Sequence, residues 1–259
     1  FKQKTAYEIR LSLVGSEMCI RDRGAYIATN TIYRKTDLVV LDGPFKDLNY
    51  IENSTGGAYF PKLLGIYEKE LTCKINELSK IDFEEVINVG GGEGYFAVGF
   101  ALKYKNANII AYEPGFYGCY LMQKMAEKNN VANRLTIKAQ LCFPEDLKAT
   151  IDPNKKTLVF MDVEGAELEL LNPDIVPALS KCYIMVEIHD TVSPTLGDTI
   201  KDRFSKSHKL TEIWQEERTI KDITISTLWK SLLKKQFEKV IHEGRGSKMR
   251  WFVFEPNLA

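Results

Sequence analysis

The residues with most chemistry to offer stand at the ends of short apolar runs. The stretch EEVINVGGGEGYFAVGFAL, Glu84 to Leu102, is an apolar run, a glycine turn and a helical pattern. Gly90, Gly92 and Gly94 let the backbone turn sharply and let a ligand approach with no β-carbon in the way, and the amides that open the next helix suit an anionic group. The following run ends ANIIAYEP, which puts the Glu113 carboxylate at its carboxyl end. A carboxylate about 20 residues beyond such a turn can accept hydrogen bonds from two ribose hydroxyls. Further on, Asp162 closes LVFMD, Glu164 and Gly165 form a turn, and Glu167 opens a helical stretch; VEIHD then carries Glu187, His189 and Asp190.

Glu187 and His189, two apart on a strand, point to the same face. His189 titrates nearest working pH and suits a general base for a hydroxyl nucleophile. Glu187 or Asp190 beside it would raise its pKa and orient the ring, and Asp162 is the alternative base. Glu164 and Glu167 flank a helix start, where negative charge stabilises by roughly 0.3–1 kcal/mol, so a structural role suits them equally. Carboxylates on two adjacent strands can also hold a hard divalent cation such as Mg²⁺; no ligand spacing demands one, and no metal is expected. His208 and His242 stand in Lys-rich stretches that read as exposed and are assigned no function. Lys62 and Tyr67 could reach a bound ligand, but a solvated face and core packing are the simpler readings of these two.

The elements that position these groups alternate. Strands are expected at Val86 to Val89, Asn108 to Tyr112, Leu135 to Ala139, Leu158 to Asp162 and Tyr183 to Ile188, with helices at Tyr95 to Lys105, Tyr117 to Asn129 and Ala166 to Leu171. Such alternation is the mark of a parallel sheet covered on both faces, and right-handed crossovers make it doubly wound. After Asp190 come a helix (Leu196 to Ser207), a strand (Leu210 to Trp214), a long helix (Thr227 to Ile241) and a last strand (Arg250 to Phe254) that suggests an antiparallel pair at the sheet's end. Trp229, Leu232, Leu233, Phe237, Val240 and Ile241 recur at helical spacing, so the long helix reads as core-facing. Before the sheet, Phe60 to Lys80 reads as one helix that lies on the sheet or covers the ligand, with Pro61 in its first turn. The fold class is therefore α/β: a Rossmann-like doubly wound sheet, mostly parallel with an antiparallel C-terminal strand, and helices on both faces.

The chain has 259 residues with 35 Lys+Arg against 35 Asp+Glu. This balance gives no electrostatic reason to expect nucleic acid or an anionic membrane as partner. No apolar run approaches the roughly 18 residues of a membrane span, so a soluble, cytoplasmic protein is expected. Cys73, Cys119, Cys142 and Cys182 are scattered without a CxxC and read as buried apolar residues in a reducing compartment; zinc would need tighter spacing. Residues 1–23 hold no helical or strand period. Back-translated, Lys2 to Ile9 and Leu13 to Arg23 resemble the two halves of a sequencing-library adapter with a barcode-length gap between, so this stretch and its Cys19 are set aside as an artefact. Residues 24–80 then form an N-terminal segment with its covering helix, and residues 81–259 the main domain.

Asn88-Val-Gly90-Gly-Gly92-Glu-Gly94 with Glu113 resembles the first two motifs of class I S-adenosylmethionine-dependent methyltransferases. LVFMDVEGAELELL, Leu158 to Leu171, resembles the K-x-D-V-E-G-x-E block of the FkbM family within them, and VEIHD resembles that family's fifth-strand ending. The likeness covers roughly Leu63 to Ile188 and thins in the C-terminal quarter. It implies that Gly90 to Gly94 wrap the methionine portion of S-adenosylmethionine, that Glu113 holds the ribose, and that adenine sits near Ala139 to Cys142, where Gln140 substitutes for the acidic residue many relatives carry. Asn88 stands where an acidic residue is commoner, which weakens a direct or water-mediated contact to the cofactor's amino group. Met161 stands where isoleucine is frequent, a conservative change in packing. The implied activity is methyl transfer, with a hydroxyl of a sugar, polysaccharide or secondary metabolite as acceptor, and with His189, Asp162 and Glu187 at the reacting end. Two rivals stand beside it. A nicotinamide oxidoreductase would want GxGxxG, a spacing that Tyr95 breaks here; a binding module without turnover would need Glu113 but neither His189 nor Asp162.

Overall fold

A computed structural model describes residues 23–55, 58–243 and 249–257. The adapter-like stretch lies outside the described residues except for Arg23, which opens helix α1 (Arg23–Thr36). Two short helices follow, α2 (Tyr59–Leu64) and α3 (Thr72–Leu78). The sheet region then runs β1 (Glu85–Val89), α4 (Tyr95–Lys103), β2 (Asn108–Tyr112), α5 (Phe116–Lys128), β3 (Leu135–Lys138), α6 (Pro144–Thr150), β4 (Thr157–Met161), α7 (Glu167–Leu170) and β5 (Tyr183–Ile188). The chain continues through α8 (Leu196–Phe204), β6 (His208–Trp214), α9 (Thr227–Leu232), α10 (Lys234–Val240) and β7 (Arg250–Pro256).

The seven strands stand in the order β3-β2-β1-β4-β5-β7-β6. Pairs among β1 to β5 are parallel, and β7 is antiparallel to both β5 and β6. Every residue of β1, β4 and β5 is buried, as parallel strands covered on two faces require. Alternate side chains feed two cores. Val86, Phe160, Met185 and Trp251 meet Ala28, Leu63, Ile75, Phe100 and Phe237 from α1 to α4 and α10. Ile87, Val159, Val186 and Phe252 meet Leu147, Leu170, Ile200 and Phe204 from α6 to α8. Chain order reverses between β1 and β4, so the carboxyl ends of these strands form the crevice where such sheets bind ligands.

Several expected elements are cut differently. The helix expected over Phe60 to Lys80 is broken after Leu64: Gly65 caps α2 with φ of +75°, and a β-carbon there would lie 1.9 Å from the Asp42 carbonyl oxygen. The helix expected over Thr227 to Ile241 is two helices meeting at Leu233. Phe237 and Ile241 are buried beside α1, while Leu228, Trp229 and Leu232 are exposed, because α10 has a packing partner in α1 and α9 turns its apolar side outward. Of the cysteines, Cys182 is buried, Cys119 and Cys142 are half-buried and Cys73 is exposed. His208 is buried, its ring between the Ser207 hydroxyl and the Cys182 carbonyl, and burial lowers its pKa against that carbonyl's pull. Among the described residues, no helix is long and apolar enough to cross a membrane.

Candidate active site

The glycine turn is built to bring two strands together. Gly90 has φ of +83°, and a β-carbon there would lie 1.8 Å from the Asp162 carbonyl oxygen. Only a residue without one lets β1 end against β4. Gly90 and Gly91 both donate their N–H to the Tyr112 carbonyl, at 3.0 and 2.9 Å, which fastens the turn to β2 as well. Gly94, at φ of +96°, is the N-cap of α4. Below the turn, Asn88 is buried, and among the described residues neither its Oδ1 nor its Nδ2 has a hydrogen-bond partner.

Glu113 joins the turn to the start of α5. Its Oε2 accepts from Gly92 N–H and its Oε1 from Gly115 N–H, both at 2.7 Å. Each oxygen keeps a lone pair, since an ionised carboxylate has about four acceptor sites. Burial raises the pKa of Glu113, and the two N–H groups oppose that shift. Beyond the carboxyl ends of β2 and β3, three apolar side chains are exposed, Phe116 to 85%, Leu141 to 59% and Phe143 to 50%. Leu141 falls in the Ala139 to Cys142 stretch expected to meet adenine; Phe116 and Phe143, four and five residues beyond the ends of β2 and β3, were passed over. Gln140 is exposed, and its amide donates to Asp146 Oδ1 at 3.0 Å, which ties it to the first turn of α6.

At the carboxyl ends of β4 and β5, four carboxylates converge on one imidazole. His189 is 5% exposed; its Nδ1–H donates to Glu167 Oε1, which also accepts from Gly165 N–H at 3.1 Å. That contact leaves Nε2 as the basic atom, 3.6 Å from Glu164 Oε2 and 3.8 Å from both Asp162 Oδ1 and Glu187 Oε2. The structure therefore gives the orienting position to Glu167, fully buried, rather than to Glu187 or Asp190. Asp190 is paired instead with Arg250 on β7, through two bonds of 2.8 and 3.1 Å. Burial would lower the pKa of His189, but the hydrogen bond and charge of Glu167, then Asp162 and Glu164, raise it overall. Burial and the adjacent Asp162 push the Glu187 carboxyl well above the usual carboxylate range. Asp162 is likewise raised by burial, against the attraction of His189. Asp162, Glu164 and His189 each offer one ligand atom within 4.8 Å of the others, a spacing a cation could bridge.

Two charged residues lie inside: Lys62, for which a solvated face was the simpler reading, and Glu93, to which the sequence assigned no role. Glu93, between Gly92 and Gly94, is 2% exposed and pairs with Lys62, itself buried. Burial alone would raise the Glu93 carboxyl, but Lys62 and the hydroxyls of Tyr50 and Ser54 hold it down at about 2. No spacing rule links position 62 to position 93, so this pair carries no sequence signal.

No protein-family model matches the chain, and no curated protein does. Solved structures do. An rRNA methylase from Streptococcus thermophilus superposes with a TM-score of 0.50 at 9% identity, over 73% of this chain and 97% of that one. A putative O-methyltransferase from Klebsiella pneumoniae gives 0.44 at 12% identity, over 95% and 96% of the two chains. The C-terminal domain of precorrin-6Y C5,15-methyltransferase from Rhodobacter capsulatus gives 0.43 at 16% identity, over 71% and 87%. The likeness to the first is one of fold: this chain has the seven-stranded Rossmann-like fold seen in methyltransferases.

Proposed function

We propose that the chain transfers a methyl group from S-adenosylmethionine to a hydroxyl oxygen of a sugar, polysaccharide or secondary metabolite. The observation that carries this reading is the Glu113 carboxylate, bridging Gly92 and Gly115 at the switch point with acceptor capacity to spare. It suits a ribose diol. The exposed apolar side chains of Phe116, Leu141 and Phe143 suit a purine, with Gln140 beside Leu141. Gly92, where a β-carbon would meet nothing nearer than Thr55 Oγ1, leaves room for the methionine end, and Asn88 beneath the turn has a donor and an acceptor without partners among the described residues for its amino and carboxylate groups.

S-adenosylmethionine, when bound, supplies a methyl group made electrophilic by its sulfonium. His189 Nε2 takes the hydroxyl proton while Glu167 keeps the ring's other proton on Nδ1 and stabilises the imidazolium that forms. Asp162 is the alternative base at the same rim. Glu187, whose pKa is raised by burial and by Asp162, limits the negative charge that faces the acceptor. Holding both reactants in line is the larger contribution, worth roughly 7–11 kcal/mol in well-oriented systems.

The reading is tested by transfer of labelled methyl from S-adenosylmethionine to a panel of glycans and hydroxylated metabolites. RNA belongs in the panel because one similar fold is an rRNA methylase. Label on a hydroxyl, lost in His189→Ala, supports the proposal. Hydride transfer from NAD(P)H with no methyl transfer would replace it by the oxidoreductase reading.

A further inference from the structure

The Glu93 carboxylate receives more hydrogen bonds than a turn residue needs. It accepts from Tyr50 Oη at 2.5 Å, Ser54 Oγ at 2.8 Å and Thr55 Oγ1 at 3.0 Å, as well as from Lys62 Nζ. All four donors belong to one stretch of chain that precedes the sheet. The start of that stretch is also pinned elsewhere: Asn49 N–H donates to Asn129 Oδ1 at 2.9 Å, and Lys128 Nζ donates to the Tyr50 carbonyl at 2.7 Å. At its other end Leu63 and Leu64 are in the core. Glu93 is thus the fastening in the middle.

What the fastening achieves is visible at Gly92. A β-carbon built on Gly92 would meet open space except for Thr55 Oγ1, 3.8 Å away. A ligand that lies on the turn must then lie beside Thr55. The same Gly92 offers its N–H to Glu113, so one short turn connects the fastened strap to the carboxylate assigned to ribose.

Resting on the proposed cofactor, we infer that residues 50–55 form a wall of the cofactor cleft over Gly92, and that Glu93 is the positioning residue that holds this wall in place. Glu93 touches no reacting atom. Its effect is on how well the cleft is formed before the cofactor arrives, a contribution to affinity by pre-organisation.

The test uses hydrogen exchange and calorimetry on the same variants. Glu93→Gln is expected to speed amide exchange in peptides covering residues 50–55 while β1, β4 and β5 keep wild-type protection, and to weaken S-adenosylhomocysteine binding by about tenfold or more. Ser54→Ala/Thr55→Val removes two donors but leaves the Lys62 pair intact, and it is expected to shift both readouts in the same direction by a smaller factor. The double variant decides the matter if Glu93→Gln fails to fold. In turnover the KM for S-adenosylmethionine should rise with kcat held, a split that general loss of stability would not produce. Unchanged exchange in residues 50–55 would show that Glu93 holds nothing there, and faster exchange with unchanged affinity would show that the strap is no wall of the cleft. Absence of binding to the wild-type protein would instead overturn the proposed cofactor and the ligand half of this inference, with exchange still deciding whether Glu93 fastens the strap.

Discussion

Glu113→Gln is a small change in shape with a large predicted cost in binding. In the structure both carboxylate oxygens already accept backbone N–H bonds, from Gly92 and Gly115 at 2.7 Å each. A glutamine amide has one oxygen, so its NH₂ must face one of those donors. Leaving a buried N–H without an acceptor costs about 1–3 kcal/mol. The ribose hydroxyls lose a charged acceptor at the same time, worth a further 1.5–3 kcal/mol or so. The first cost is present with or without ligand and lowers stability; the second, about 1.5–3 kcal/mol, is a factor of roughly 10–10² in Kd. Calorimetric titration of the variant with S-adenosylhomocysteine measures this directly, with circular dichroism to establish that the sheet is intact. A Kd within about threefold of wild type would refute the assignment of Glu113 to the ribose.

His189 gives a pH prediction with a definite sign. Only the neutral ring is a base, and its pKa is raised in the fold above 6.5, so kcat/KM should climb with pH through an apparent pKa above that value and flatten beyond it. Glu167→Gln removes the principal raising influence and should move the limb to lower pH while reducing kcat; a limb that stays in place would assign the titration to another group. Gly90→Ala would hold an alanine at positive φ, about 1–2 kcal/mol, and drive its β-carbon into the Asp162 carbonyl, so Tm should fall by roughly 5 °C or more; an unchanged Tm would contradict the close approach of β1 to β4. Methyl transfer is expected to persist in excess EDTA, because the proton acceptor is a side chain. Loss of turnover restored by Mg²⁺ or Mn²⁺ would reassign Asp162, Glu164 and His189 as ligands.

The sheet was legible in the sequence because its central strands are buried on both faces, and such strands are written as unbroken apolar runs between turns. The glycine turn was legible for a similar reason, since three glycines after such a run have few structural uses. Periodicity misled at Thr227 to Ile241. Helical spacing reports that one side of a helix is apolar and is silent on whether anything packs there; Phe237 found α1, while Leu228 and Leu232 found solvent. It misled again at Gly65, where one residue at positive φ ends a helix whose apolar pattern continues. The finer parts of the site depend on pairings between distant positions. Asp190 is neutralised by Arg250, His189 is oriented by Glu167, and Glu93 is fastened to Lys62 and Tyr50. Residue type made His189, Glu167 and Asp190 candidates and was silent on Glu93, and only the folded topology assigns the partners.

Calorimetry of the unmodified protein with S-adenosylhomocysteine, run beside NAD⁺, tests the proposed chemistry most directly. Saturable one-site binding of S-adenosylhomocysteine with no heat from NAD⁺ is the predicted result. Binding of NAD⁺ alone, or of neither, would contradict the assignment of the Gly90–Gly94 turn and Glu113 to S-adenosylmethionine.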